Sequence, residues 1–274
     1  MKDSSNRLSA REFWEQNPLW AGESKFTVGS AQYFAEHREV VIRDCFAGKI
    51  DNQIFPESEL KSPILDLGCG PGFWTIELGQ RGFNVVAADL THTALGLTKK
   101  RCDWAGIQAR LCQADAQTLP FANESFAHVN CQGVIHHAPD PKKCVQEIAR
   151  VLQPRGTAVI SVYYMNLILK SWPMIRILAS PFVKGLYGRG RESMHRVSDV
   201  NELVRKYDGE LNPIGRAFST AEFRMLVESH FEVAFFRTNF FPARALAFPI
   251  PPWIHSILQR TLGFIIYARL VKRN

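Results

Sequence analysis

The chain is poor in the features that mark the simplest functional classes. Its six cysteines, at positions 45, 69, 102, 112, 131 and 144, include no C-x-x-C pair. That scatter supports neither a zinc site nor a disulfide framework, and predicts no metal and reduced thiols in a cytoplasmic protein. No apolar run approaches the roughly 18 residues of a membrane span. The most apolar stretch, residues 163–187, is interrupted by Lys170, Pro173 and Arg176. The first 17 residues, MKDSSNRLSAREFWEQN, lack the apolar core of a secretory signal. Internal repeats and low-complexity tracts are absent too, which excludes solenoids and disordered tails.

What remains is an ordinary globular composition of 274 residues, 46% hydrophobic and 22% charged. The net charge of +7 is unevenly spread. Residues 1–150 carry 16 Lys and Arg against 18 Asp and Glu, whereas residues 151–274 carry 17 against 8. The basic surplus thus belongs wholly to the C-terminal part, where it suggests an anionic partner or surface.

Residues 1–61 read as a polar, helical N-terminal cap, with an amphipathic helix in AQYFAEHREVVIRDCFAGKI that places Phe34, Val41, Cys45 and Phe46 near one face. From residue 62 to 274 the pattern is α/β. The short runs PILDLG, NVVAADL, IQARLCQAD, FAHVNCQG and GTAVISVYY alternate with helical stretches, as in a doubly wound, mostly parallel, Rossmann-like sheet covered on both faces. Residues 164–217 break this alternation and read as an inserted lid on the substrate side. FSTAEFRMLVESHF follows as a helix with Ser219 or Thr220 as its N-cap. FEVAFFRTNFF and GFIIYARLVK are strand-like, and the prolines between them forbid a central strand.

The sharpest local signal is Ile64-Leu65-Asp66-Leu67-Gly68-Cys69-Gly70-Pro71-Gly72, a strand running into a glycine turn and a helix. Such a turn at the carboxyl edge of a parallel sheet is where α/β folds hold nucleotides. Phe73 occupies the position of the third glycine in G-x-G-x-x-G, so the pattern is G-x-G-x-G and argues against a pyrophosphate-binding dehydrogenase. Asp89 ends the next strand, 19 residues after Gly70, near the offset at which a carboxylate meets ribose hydroxyls. Asp115-Ala116 ends the third strand and is placed for an adenine amino group, and Gln132 follows the fourth. Taken singly, each has a plainer explanation, a tight turn for the glycines and a helix cap for each aspartate. Their occurrence on successive strands of one sheet points to a single adenosine-type ligand.

With these residues in view, LDLGCGPG, Asp89, Asp115-Ala116 with LPF beyond it, GVIHHAPDP, EIARVLQPRG and FSTAEFRMLVESHF, the chain resembles a class I S-adenosylmethionine-dependent methyltransferase. It is most like the group that includes the ubiquinone and menaquinone biosynthesis enzymes. The likeness covers residues 62–163 closely and 218–272 more loosely. It implies seven strands with the last antiparallel, and S-adenosyl-L-methionine as cofactor. It also implies that Asp66, Gly68, Cys69, Gly70 and Gly72 surround the methionine portion, Asp89 takes the ribose, Leu90 lies beside the adenine, Asp115 and Ala116 meet its edge, and Gln132 sits near the sulfonium. Two positions depart from the pattern: Ala127, where an aspartate commonly follows the phenylalanine, and Arg155, where the family has glycine.

His136 and His137 follow the fourth strand at the rim of the expected pocket and are candidate proton acceptors. Their plainer role is to fix the loop. The aromatic residues Phe13, Trp14, Trp20, Phe26, Trp172, Phe182 and Trp253 favour a small hydrophobic or aromatic acceptor, unless they are ordinary core. The basic C-terminal part keeps an RNA or DNA methyltransferase open, although no Asn- or Asp-Pro-Pro-Tyr and no Pro-Cys follows the fourth strand. A non-catalytic cofactor-binding protein is the third reading. Trp, Phe and Leu mixed with Lys and Arg in residues 166–191 and 244–273 also suit peripheral contact with a membrane. The sequence carries no signal for oligomeric state.

Overall fold

The computed structural model describes residues 9–57, 62–179, 197–243 and 246–274. The N-terminal part supplies two helices, α1 (Ala10–Gln16) and α2 (Ala31–Phe46). Each starts where a serine side chain accepts from the backbone of its own first turn, Ser9 from Glu12 and Ser30 from Tyr33. Phe34 and Phe46 on α2 are buried, as their spacing predicts, while Val41 and Cys45 are half-buried.

The α/β alternation follows in chain order: β1 (Ile64–Leu67), α3 (Phe73–Gly79), β2 (Val85–Asp89), α4 (His92–Ala105), β3 (Ala109–Gln113), β4 (Phe126–Gln132), α5 (Pro141–Val151) and β5 (Leu152–Tyr164). Of the predicted insertion, α6 (Leu167–Lys170), α7 (Trp172–Ala179) and α8 (Val200–Lys206) are described; residues 180–196, including Phe182, lie outside the described residues. The chain ends with β6 (Ala217–Phe218), α9 (Thr220–Val227), β7 (Phe231–Asn239), α10 (Pro252–Thr261) and β8 (Ile265–Lys272). Among the described residues no helix is long and apolar enough to cross a membrane.

The strands run in the order β3-β2-β1-β4-β5-β8-β7. The first five are parallel, and β8 lies antiparallel between β5 and β7. These are the seven strands expected, with the last in the chain antiparallel. A two-residue strand, β6, adds a short parallel ladder to the end of β5 and makes the sheet eight-stranded.

Side chains of alternate strand residues enter two cores. Leu65, Val129, Cys131 and Ile160 pack with Cys144, Val145 and Ile148 of α5 and Phe223 and Val227 of α9. On the other face Ile64, Val85 and Val159 pack with Phe46 of α2 and Phe73 and Leu78 of α3. Each fully buried Phe or Leu contributes about 2–3 kcal/mol through removal from water. The α5 helix begins at Pro141, with the Asp140 carboxylate accepting from Lys142 and Lys143 N–H. Ser219 and Glu222 close a capping box on α9, so Ser219 is the N-cap of that helix.

Arg155 occupies a backbone position that favours glycine. Its φ is +60°, in the left-handed region, within the irregular start of β5 where the pairing with β4 slips between Phe126 and His128. The turn therefore keeps a glycine-like backbone with an arginine in it.

Candidate active site

The strand order reverses between β1 and β4, and the crevice at the carboxyl ends of such strands is the ligand position of a doubly wound sheet. Here it is a cavity of about 780 Å³. Gly68 and Gly70 from the turn after β1 border it, with Asp89 and Leu90 after β2, Asp115 and Ala116 after β3, and Gln132, His136 and His137 after β4. The structure thus brings together nine of the twelve residues singled out from the sequence.

The other three lie behind this wall. Asp66 is buried within β1, Cys69 is buried against Ala87 and Leu95, and Gly72 is the N-cap of α3. A side chain on Gly72, whose φ is +75°, would meet the Thr98 backbone at 3.1 Å, so this glycine serves the packing of α3 on α4. Gly70 differs, since nothing stands within 4 Å of where its Cβ would be. A ligand can therefore approach this backbone closely.

Asp66 works through its neighbours. On β1 it shares the face of Ile64, and on β4 Asn130 and Gln132 share the matching face, because strand side chains alternate. Thr75 donates to Asp66 Oδ2 at 2.6 Å and Asn130 Nδ2 to Oδ1 at 2.8 Å. Asn130 Oδ1 is then left to accept from Gln132 Nε2, at 2.5 Å. This relay sets the orientation of the Gln132 amide and leaves its Oε1 buried without a protein donor, beside the cavity. Burial pushes the Asp66 carboxyl up to about 6, against the lowering effect of Thr75 and Asn130.

Asp89 ties the glycine turn to the start of the helix that follows it. One oxygen accepts from Thr91 N–H at 3.0 Å and its hydroxyl at 2.9 Å, tying down the start of α4; the other accepts from Gly70 N–H at 3.0 Å. Desolvation raises its pKa above the ordinary carboxylate value. Acids in such a place favour a ligand that brings positive charge or hydroxyl donors. Asp115 accepts from Gln117 N–H at 2.8 Å in a local turn, and Gln113 Nε2 donates to the Leu90 carbonyl at 3.0 Å, fixing the loop over the second strand. The open backbone at Gly70, the oriented Gln132 oxygen and the buried acids fit the groups of S-adenosylmethionine.

The other end of the cavity is aromatic, with Trp14 of α1, Tyr163 of β5, Tyr207 after α8 and Phe240 after β7. His137 Nδ1 donates to the Ile214 carbonyl at 2.7 Å, and its Nε2 lies 3.3 Å from Asp208 Oδ2. Both ring nitrogens thus have protein neighbours. The His136 ring lies 4.2 Å from the Tyr163 ring centroid, and burial drives its pKa well below the ordinary value, so it is a neutral and weak base. Tyr163 Oη donates to Asp208 Oδ2 at 2.7 Å. Asp208, Tyr163, Tyr207, Phe240 and Asn130 were not singled out from the sequence. For Asn130 the alternating pattern of β4 was the available signal; the others come from distant segments.

The aromatic residues named from the sequence divide. Trp14 and Trp20 line the cavity, Phe13 is core, Phe26 packs beside Trp20, Trp172 donates to the Val197 carbonyl, and Trp253 is exposed. Several C-terminal cations pair with acids: Arg237 with Asp51, Arg269 with Glu57 at 2.7 Å and Arg205 with Glu202 at 2.7 Å. Among the described residues no cluster of His, Cys, Asp and Glu could hold a metal ion.

Residues 65–160 match the family described as a methyltransferase domain. A ubiquinone biosynthesis O-methyltransferase of Idiomarina loihiensis is 31% identical over 146 residues, 53% of this chain and 59% of that protein. The chain therefore spans about three fifths of that relative's length. A methyltransferase from Methanosarcina mazei shares the fold with a TM-score of 0.55 at 19% identity, covering 78% of this chain and 94% of its own. One from Mesorhizobium loti gives 0.53 at 16% identity, covering 80% and 94%. Both are described as S-adenosylmethionine-dependent. Residues 65–160 thus match a methyltransferase domain, and the chain shares its fold with solved structures described as S-adenosylmethionine-dependent methyltransferases.

Proposed function

We propose that the protein transfers a methyl group from S-adenosyl-L-methionine to a small acceptor with a hydrophobic or aromatic body. The observation that carries this reading is the continuity of one cavity from Gly68, Gly70 and Asp89 to Trp14, Tyr163, Tyr207 and Phe240. In this reading Gly68 and Gly70 hold the methionine portion, Asp89 the ribose, and Leu90, Asp115 and Ala116 the adenine, while Gln132 Oε1 faces the sulfonium region. When bound, the cofactor supplies an activated methyl group on a good leaving group. The chain's own contribution is to align the acceptor and exclude water.

The name of the curated relative, an O-methyltransferase of ubiquinone biosynthesis, supports oxygen as the acceptor atom and an apolar ring as its body. A nucleic-acid acceptor is less well supported, because two of the C-terminal cations, Arg237 and Arg269, are paired with Asp51 and Glu57 and no base-gripping motif follows the fourth strand. The test is calorimetric binding of S-adenosylhomocysteine to the wild type and to Asp89→Ala. Micromolar binding lost in the variant is the expected result, and equal affinity for the two proteins sinks the ribose assignment.

The proposal extends to location. Met174 on α7 and Trp253 and Ile257 on α10 are exposed, and residues 233–274 contain no acidic side chain. Exposed aromatic and aliphatic groups among cations alone suit the surface of an anionic bilayer, from which an apolar acceptor could be drawn.

A further inference from the structure

Asp208 is an unusual acid for its surroundings. It stands just beyond the C-terminus of α8, where helix carbonyls oppose negative charge, and it is 6% exposed among aromatic rings. Such a carboxylate is retained at a cost unless donors hold it. Tyr163 Oη donates to one of its oxygens at 2.7 Å, and His137 Nε2 lies 3.3 Å from that same oxygen. His137 is in turn fixed through Nδ1 by the Ile214 carbonyl at 2.7 Å, and the Trp14 ring lies edge-on to it at 5.1 Å between centroids. Asp208 borders the same cavity as Gln132 and the glycine turn. A polar node of this kind in an otherwise aromatic wall needs a polar partner on the ligand that fills the wall.

We propose that Asp208, held by Tyr163 and flanked by His137, accepts the proton of the acceptor's hydroxyl group. The inference rests on the methyltransferase reading above and adds to it the residue that handles the acceptor. The acceptor O–H bond breaks as its oxygen forms the bond to the methyl carbon. The sulfur–methyl bond opens with its electron pair left on sulfur, and the proton passes to a carboxylate oxygen of Asp208. Charge balances, because the positive charge lost at sulfur leaves as that proton. His137 and Tyr163 are positioning residues in this scheme, since they act through Asp208. The histidines of the loop after β4 thereby give up the role of proton acceptor to an acid from the inserted segment.

Two measurements test the proposal. In the first, 4-butylphenol and its methyl ether 4-butylanisole are titrated into the protein without cofactor, followed by tryptophan fluorescence. The wild type is expected to bind the phenol about tenfold more tightly, the value of one hydrogen bond to a charged group, and Asp208→Asn to lose that preference. In the second, turnover with S-adenosylmethionine is followed for 4-butylphenol and for 4-nitrophenol at mildly alkaline pH, where only the nitrophenol is already ionised. Asp208→Asn is expected to lower kcat for 4-butylphenol about 100-fold, and for 4-nitrophenol by no more than about threefold, because general-base assistance matters only where a proton remains. Tyr163→Phe, which keeps the carboxylate, is expected to show the same selectivity at about one tenth of the size, and decides the matter where Asp208→Asn does not fold. Equal losses for the two phenols, equal binding of phenol and ether, or failure of either phenol to bind or react in a protein that binds S-adenosylhomocysteine overturns the proposal. Failure to bind S-adenosylhomocysteine would instead remove the methyltransferase reading itself.

Discussion

The Glu15 carboxylate accepts two hydrogen bonds from Thr93, at 2.8 Å from its backbone N–H and 2.6 Å from its hydroxyl. The second carboxylate oxygen accepts from His92 N–H at 3.0 Å. A residue of α1 thus caps α4, directly after the segment that carries Asp89 and Leu90, and α1 borders the cavity through Ser9, Arg11 and Trp14. A seven-residue helix has no stability of its own, so this contact and the burial of Phe13 hold it in place.

Loosening that contact should weaken cofactor retention. Glu15→Gln removes the charge that favours the positive end of α4 and is expected to raise the Kd for S-adenosylhomocysteine about three- to tenfold, with about 1 kcal/mol lost in stability. Calorimetry and urea unfolding measure the two effects. Unchanged affinity would show that α1 takes no part in closing the site.

Asp89 carries a larger share. Its carboxylate faces the cavity while holding Gly70 N–H and Thr91. Asp89→Asn is expected to raise the Kd for S-adenosylhomocysteine about 10- to 100-fold, in line with lost hydrogen bonds to a charged acceptor. Asp115→Asn, tested the same way, should cost less, since the amide oxygen of Asn can still accept from Gln117 N–H and Asp115 does not hold the glycine turn as Asp89 does.

Asp66 should impose a pH dependence on stability. Its folded-state value of about 6 lies above the roughly 3.9 of an unfolded aspartate. Between these values the folded protein keeps a proton that the unfolded chain has released, so stability falls as pH rises from about 4 to 6, by up to about 3 kcal/mol. Asp66→Asn cannot titrate and should escape this loss. Urea unfolding of the two proteins near pH 4.5 and 7.5 would show the variant gaining on the wild type at the higher pH. Parallel curves would refute the burial argument.

Arg101 joins the N-terminal cap to the glycine turn. Its buried guanidinium donates to the Pro71 carbonyl at 3.2 Å and the Phe34 carbonyl at 3.3 Å and meets His37 Nδ1 at 3.1 Å, and desolvation lowers its pKa to about 10. Arg101→Met leaves these acceptors unsatisfied and should cost about 2–4 kcal/mol in unfolding free energy. Arg101→Lys should not recover it, because one ammonium cannot span three separate partners.

Contact with a membrane gives a final test. Wild-type protein should sediment with vesicles containing anionic phospholipid and not with purely zwitterionic ones, and Trp253→Ser with Ile257→Ser should abolish it. Absence of binding to anionic vesicles at low salt would refute the surface assignment.

Much of this site is written locally in the chain. The run ILDLGCGPG determines a strand, a turn and a helix because apolar alternation and left-handed glycines leave few other conformations. Asp89 is legible as a strand-ending acid at a set offset from the glycines, Asp115 as an acid just past the next strand, and Ser219 as a helix cap, since each depends on neighbours within a few residues. Tertiary structure decided the rest. Asp66 serves Gln132 through Asn130 on another strand, and the aromatic end of the cavity gathers Trp14, Tyr163, Asp208 and Phe240 from four separate segments. No periodicity records such meetings, because they are set by how the sheet orders its strands and how the helices and loops close over their ends.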